Sequence, residues 1–98
     1  MIRSYRNEGT RDIAYGVGSK KARRTLPEQL HAKALERLNW LNSISSEVDL
    51  MQAPHSFRPE KLSGDRRGQI SIRINDQYRV CFCKDGLDLF DVEICDYH

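Results

Sequence analysis

An α+β fold is predicted by two features of the apolar pattern. Apolar residues recur at spacings of three and four in the first half of the chain, then at spacings of two toward the end. Turn residues, not further helices, separate the later apolar runs, so a sheet of hairpin-connected strands is expected in place of alternating βαβ units. With 98 residues, 39% apolar and 31% charged, the chain has material for a single domain over 1–98 with one modest core.

The elements follow in order. MIRSY reads as a short first strand, and Thr10 to Tyr15 as a short helix stopped by Gly16 and Gly18. GSKKARR then reads as a basic connector. Thr25-Leu-Pro-Glu28 resembles a capping box, with Thr25 accepting first-turn N–H groups, Glu28 reaching back and Pro27 tolerated in the first turn. The main helix is therefore predicted over Leu26 to Ile44, with Leu30, Ala34, Leu38, Leu41 and Ile44 on one stripe flanked by Leu35 and Trp40. Arg37 falls inside that stripe and must snorkel or pair. Trp40 is expected to pack in the core. SSEVDLMQA adds a helical turn before the proline-bounded loop PHSFRP.

Beyond that loop three antiparallel strands are predicted. Ile70, Ile72 and Ile74, then Tyr78, Val80 and Phe82, then Phe90, Val92 and Ile94 alternate with polar or small residues, with turns at Asn75-Asp76 and Asp85-Gly86. For these apolar sets to share a face, partner numbers must sum to even values, which predicts three-residue loops at 75–77 and 85–87. The first loop pairs Ile72 with Val80 and sets Arg73 opposite Arg79. The second pairs Phe82 with Phe90, Val80 with Val92, Arg79 with Glu93 and Cys81 with Asp91. One face then lies under the helix, and the other stays polar around Arg73 and Arg79.

Net charge is only +2, but it is unevenly distributed. Residues 1–37 hold nine Lys and Arg against four acids, residues 58–84 hold seven against three, and residues 85–98 hold five acids and no base. The fold must bring acids back onto bases or present basic surface to a polyanion. No apolar run approaches the length of a membrane span, and MIRSYRNEG lacks the apolar region of a signal peptide, so a soluble cytoplasmic protein is expected with no membrane partner. The three cysteines, Cys81, Cys83 and Cys95, read as reduced, small sheet residues. C-x-C without further ligands does not make a metal site, and no cofactor is expected.

Two guanidiniums directly opposite repel each other. Either Glu93 and Asp91 neutralise them in a cross-strand ladder, or the pair clamps a phosphate with its planar forked donors. Arg66 and Arg67 of Gly64-Asp-Arg-Arg-Gly68, with Lys61 and Arg58, read either as solvated turn charges or as a basic rim for RNA phosphates. The chain ends on Asp96-Tyr97-His98, expected beside the 75–77 loop at the edge of the arginine face. A carboxyl and an imidazole, with ordinary pKa values of about 3.9 and 6.5, would there make an acid–base pair next to a charge stabiliser.

LSGDRRGQISIRINDQYRVCF followed by DVEICDYH resembles the HigB toxins, the killer-protein branch of the RelE/ParE superfamily, and the MIRSY start and lone long helix extend the match over nearly the whole chain. The resemblance implies a small RelE-like domain with a curved antiparallel sheet and N-terminal helices packed on one face. It implies a type II toxin that cleaves messenger RNA on the ribosome, held inactive by a HigA-like antitoxin whose helix-turn-helix lets the complex bind operator DNA. By the same resemblance Asp96, Tyr97, His98 and Arg79 are catalytic. Some members carry a histidine two residues before the leucine of L-x-G-D-R, where this chain has Glu60. Glu60 still accepts a proton, but its ordinary pKa of about 4.3 makes it a poorer shuttle at neutral pH, and His55, in the loop upstream, is not given that role. The expected chemistry is attack by the 2′-hydroxyl on the adjacent phosphate without a metal. Asp96 or His98 would take the proton, Arg79 and Arg73 would stabilise charge, and Tyr97 would orient a base. The rival is a non-catalytic binder of the ribosome or another partner, as the ParE branch binds gyrase.

Overall fold

The computed structural model describes residues 1–96. Four helices, α1 (Glu8–Ala14), α2 (Lys20–Thr25), α3 (His31–Ser43) and α4 (Glu47–Met51), precede four strands, β1 (Glu60–Lys61), β2 (Gln69–Arg73), β3 (Tyr78–Asp85) and β4 (Asp88–Asp96). The strands form one antiparallel sheet in the order β1-β2-β3-β4. This is the predicted α+β architecture, with the unforeseen β1 added to the three expected antiparallel strands. Among the described residues no helix is long and apolar enough to cross a membrane.

Residues 1–6 do not build a full strand. They run parallel to the outer edge of β4 through isolated bridges Ile2–Leu89 and Tyr5–Val92, with Arg3 N–H donating to Leu89 O at 2.8 Å and Arg6 N–H to Val92 O at 3.0 Å. Helix α1 starts at the Asn7 cap, whose side chain accepts from Thr10 N–H at 2.8 Å, and it closes beyond Tyr15 at Gly16, φ +74°. Gly9 is required by packing: a Cβ there would lie 1.9 Å from Thr25 Oγ1 and 2.8 Å from Lys21 O on α2.

The predicted basic connector is instead α2. Ser19 accepts from Ala22 N–H at 3.0 Å and donates to Asp12 at 2.7 Å, so one hydroxyl caps α2 and ties it to α1. Thr25 ends this helix and does not start the next, its hydroxyl donating to Lys21 O at 2.9 Å. Leu26 is extended (φ −153°, ψ 136°) because Pro27 excludes the helical region for the residue before it. The main helix therefore enters through a 3₁₀ turn at Glu28–Leu30, and no side chain caps it. The PHSFRP loop holds another 3₁₀ turn, His55–Phe57.

The core lies between α3 and one sheet face. Ala34, Leu38, Leu41 and Ile44 meet Ile72, Ile74, Val80, Phe82, Leu89, Val92 and Ile94, with Leu26 and Phe57 closing the sides. Burying a side chain of this size stabilises by about 1.5–3 kcal/mol. Arg37 enters this core at 4% exposure and both pairs and packs: its guanidinium reaches Arg73 O and Glu36 and lies 3.9 Å from the Phe57 ring centre. Trp40 is half-buried and meets Phe57 edge-on at 5.2 Å.

The first hairpin has the expected register, Ile72 opposite Val80 and Arg73 opposite Arg79. The second does not. Asp85 pairs with Asp88 around a two-residue turn led by Gly86 at φ +60°, so Cys83 faces Phe90 and Lys84 faces Leu89. Leu89 turns into the core and Phe90 outward. A bulge at Asp91, φ +52°, then inserts one residue and restores the inward parity of Val92 and Ile94. Val80 consequently pairs with Ile94, Cys81 with Glu93, Arg79 with Cys95 and Tyr78 with Asp96.

Candidate active site on the polar sheet face

Alternation leaves Gln69, Ser71 and Arg73 on the face away from the core, next to Arg79, Cys81 and Cys83 of β3 and to Glu93 and Cys95 of β4. Arg79 stands at the centre on a fully paired strand, with its side chain 15% exposed. It donates to Ser71 Oγ at 2.9 Å and lies 3.4 Å from Glu60 Oε2. Glu60 reaches it because β1 pairs Glu60 with Ser71, on the far side of β2. A guanidinium fixed from below, with a half-exposed carboxylate beside it, is equipped to bind an oxyanion and accept a proton next to it.

Arg73 and Arg79 do not share their acids. Arg73 is paired with Asp76 in its own turn and Arg79 with Glu60. The predicted ladder through Glu93 and Asp91 is not formed, because the bulge places Cys95, not Glu93, opposite Arg79 and leaves Asp91 outside the regular ladder. Glu93 instead holds Arg66, at 2.9 Å, and Arg6, at 3.9 Å. That bond raises the pKa of Arg66, which also donates to Gln69 at 3.1 Å. Arg66 thus joins the polar face, carried by the short 3₁₀ turn Gly64–Arg66.

The remaining basic residues divide. Arg67 and Arg58 are exposed, Arg67 directly after that turn and Arg58 in a left-handed conformation (φ 44°) just before β1. Lys61 pairs with Ile70, so the alternation places it on the opposite face from Arg79, in a groove it lines with Leu62, Gly68, Gln69, Ile70 and Lys84. Another groove runs along the N-terminal segment between Arg3, Tyr5, Arg6, Arg11 and Tyr15, and Arg6 connects it to the polar face through Glu93.

Asp96 ends β4 opposite Tyr78, and Gln77 Nε2 donates to its carboxylate at 2.9 Å. It therefore emerges beside the 75–77 loop, but in the register of Tyr78, one residue out of step with Arg79. Tyr97 and His98 lie outside the described residues. Among the described residues no group of three or more His, Cys, Asp or Glu converges as a metal would require.

Ser71, Arg6 and Cys95 belong to this face but were not singled out by the sequence. Ser71 was detectable, since it alternates with Arg73 and shares its face. Arg6 carried no local signal, because its approach to Glu93 depends on how the N-terminal segment lies along β4. Cys95 Sγ lies 2.9 Å from Cys81 Sγ. The hydrogen bond from Cys81, aided by Arg66 and Arg79, lowers the Cys95 pKa, while the same bond and burial raise that of Cys81.

Comparison with known proteins agrees with this architecture. The family model described as the RelE-like toxin of type II toxin–antitoxin system HigB matches residues 15–98. Toxin HigB-1 of Vibrio cholerae serotype O1 is 36% identical over 62 residues, which span 63% of this chain and 64% of that protein. The matched segment thus covers slightly less than two thirds of the Vibrio toxin. Among solved structures, the YoeB–YefM complex from Staphylococcus aureus contains a chain that superposes with a TM-score of 0.59 at 18% identity, covering 100% of this chain and 98% of that one. The similarity in structure extends to the fold, and the sequence match over most of the chain goes further: the protein belongs to the HigB family of RelE-like toxins of type II toxin–antitoxin systems.

Proposed function

We propose that the protein is a ribosome-dependent endoribonuclease that cuts messenger RNA and so stops translation in the cytoplasm. The observation that carries this reading is the Arg79–Glu60 couple at 3.4 Å, fixed on a sheet face that also bears Ser71, Arg73 and Arg66. A phosphodiester seated on Arg79 brings its own nucleophile, the neighbouring 2′-hydroxyl, so this route needs no metal ion. Glu60 takes the hydroxyl proton, Arg79 stabilises the charge growing on the phosphorus oxygens, and Arg73 and Arg66 hold the flanking phosphates. The leaving 5′-oxygen needs a proton in return, a role given to the terminal Asp96-Tyr97-His98 motif, with Tyr97 also orienting a base. The products carry a 2′,3′-cyclic phosphate, and DNA is not cut.

The geometry gives Glu60 a better position than its acidity alone suggested, since β1 brings it to Arg79 from the far side of β2. Arg58 and Arg67 extend the RNA path, and Lys61 would serve RNA only along the groove on the other side of the sheet. A HigA-like antitoxin with a helix-turn-helix is the proposed inhibitor, and its complex with this chain would bind operator DNA through the antitoxin. Support for such a partner comes from the family and from the YoeB fold being solved bound to YefM.

The test is cleavage of ribosome-bound message by the full chain and by Arg79→Ala, Glu60→Gln and a variant lacking His98, each checked for folding by circular dichroism. The expected losses are about 10²-fold for Arg79→Ala and about 10²- to 10⁴-fold for Glu60→Gln. Unchanged rates in all three would remove these groups from the reaction. Translation arrest without new 5′ ends would identify a binder instead of a nuclease.

A further inference from the structure

The cleavage reading leaves one arrangement on the polar face unused. Cys81 on β3 and Cys95 on β4 stand diagonally across the strand pair, since Cys81 pairs with Glu93 and Cys95 with Arg79. Their sulfurs are 2.9 Å apart. A disulfide bond is about 2.05 Å long, so closure by less than about 1 Å would join them. The two also differ in accessibility: Cys81 is buried and Cys95 only partly so, which lets a reagent meet Cys95 first. Cys83 sits beyond the bulge, opposite Phe90, in a different register from the pair.

We propose that Cys81 and Cys95 form a reversible oxidation site that takes a small-molecule disulfide as its oxidant, and that closing this bridge slows RNA cleavage on the same face. The hydrogen bond from Cys81, with Arg66 and Arg79 nearby, favours the thiolate at Cys95 and makes it the attacking group. That thiolate attacks one sulfur of the oxidant, the oxidant's sulfur–sulfur bond breaks, and one thiolate leaves while Cys95 holds the other half. Cys81 then gives up its proton and attacks the Cys95 sulfur, displacing the second thiolate. Two electrons pass from the cysteines to the oxidant, and the two released thiolates take up two protons.

The bridge tethers β4 to β3 at the residue opposite Arg79 and directly before Asp96. A misplacement of about 1 Å in reacting groups costs on the order of 10²-fold in rate, so the oxidised chain is expected to cleave at least about tenfold more slowly. This consequence rests on the nuclease reading, whereas the bridge itself does not.

The experiment equilibrates the full chain and its Cys83→Ser variant with glutathione disulfide. Intact mass is measured without reductant, and cleavage of ribosome-bound message is measured before and after dithiothreitol. Both chains are expected to lose two hydrogens, about 2 Da, with no retained glutathione. Cys81→Ser should retain one glutathione on Cys95. Cleavage should fall on oxidation and return on reduction. Free thiols at both positions, a bridge through Cys83 or a bridge between two chains would overturn the site, and a bridge with unchanged cleavage would overturn its control of activity. A reduced chain that cuts nothing would count against the nuclease reading, while the mass result would still decide the oxidation site.

Discussion

Arg37 places a charge where the stripe of α3 calls for an apolar side chain, and the structure accounts for each part of it. Nε donates to Arg73 O at 3.1 Å, one terminal nitrogen donates to Glu36 at 2.7 Å, and the guanidinium lies over Phe57. Burial lowers its pKa, and Glu36 acts against that shift. Through Arg73 O the side chain also links α3 to the end of β2, behind the polar face. Replacing it with Met keeps the apolar stem but strips a partly buried carbonyl of its side-chain donor and removes the contact with the ring. The expected cost is about 1–3 kcal/mol, read as a lower urea midpoint. Arg37→Lys should recover little, because an ammonium cannot present the same planar fork to two acceptors at once. Midpoints equal to the parent in both variants would mean that the guanidinium is replaceable by any long side chain.

The β3–β4 hairpin shows at the level of an element what alternation can and cannot specify. Parity fixes which residues face the core only up to a multiple of two, so a three-residue turn and a two-residue turn followed by one bulge bring Val92 and Ile94 to the same face. The inward set was therefore legible in the sequence apart from Leu89 and Phe90, while the partners of Arg79 and Cys81 were not. In the observed register Glu93 lies opposite Cys81 and pairs with Arg66 and Arg6. Helix α2 carries an equally weak signal: Ser19 is an N-cap followed by Ala22, its buried residue, within a run of charges that masks the short pattern. The bulge itself depends on Asp91 at φ +52°, whose N–H is taken by Ser4 Oγ at 2.9 Å. Asp91→Val puts a β-branched residue into the left-handed region and should destabilise by about 1–2 kcal/mol, whereas Asp91→Gly should stay within about 0.5 kcal/mol of the parent in urea unfolding. If Val were tolerated as well as Gly, the strand would be re-registering, and Val92 and Ile94 would be the residues to follow for exposure.

For the molecule as a whole, the outer edge of β4 determines where the candidate catalytic end of the chain is delivered, and the N-terminal residues complete that edge. Leu89 N–H donates to Met1 O at 3.0 Å, Asp91 N–H to Ser4 Oγ, Val92 N–H to Ser4 O at 3.1 Å and Ile94 N–H to Thr10 Oγ1 at 3.1 Å. An edge that would otherwise offer unpaired donors is thus closed first by extended chain and then by a fully buried helix side chain. Thr10 is the last of these contacts, two residues before Asp96. Thr10→Val keeps its shape and leaves the buried Ile94 N–H without that acceptor, at an expected cost of about 1–3 kcal/mol. Thr10→Ser keeps the oxygen and loses a methyl, a cost of about 1 kcal/mol. Stability alone separates the two poorly, but amide exchange does: Thr10→Val should lose protection at Ile94 while Thr10→Ser retains it. Cleavage should follow the same order under conditions where both variants are folded, because a loosened β4 end no longer holds Asp96 against Tyr78 and Gln77 at the end of Arg79's strand. Parent-like protection of Ile94 in Thr10→Val would show that β3 alone fixes this strand, and the helical layer would then have no part in positioning the catalytic end.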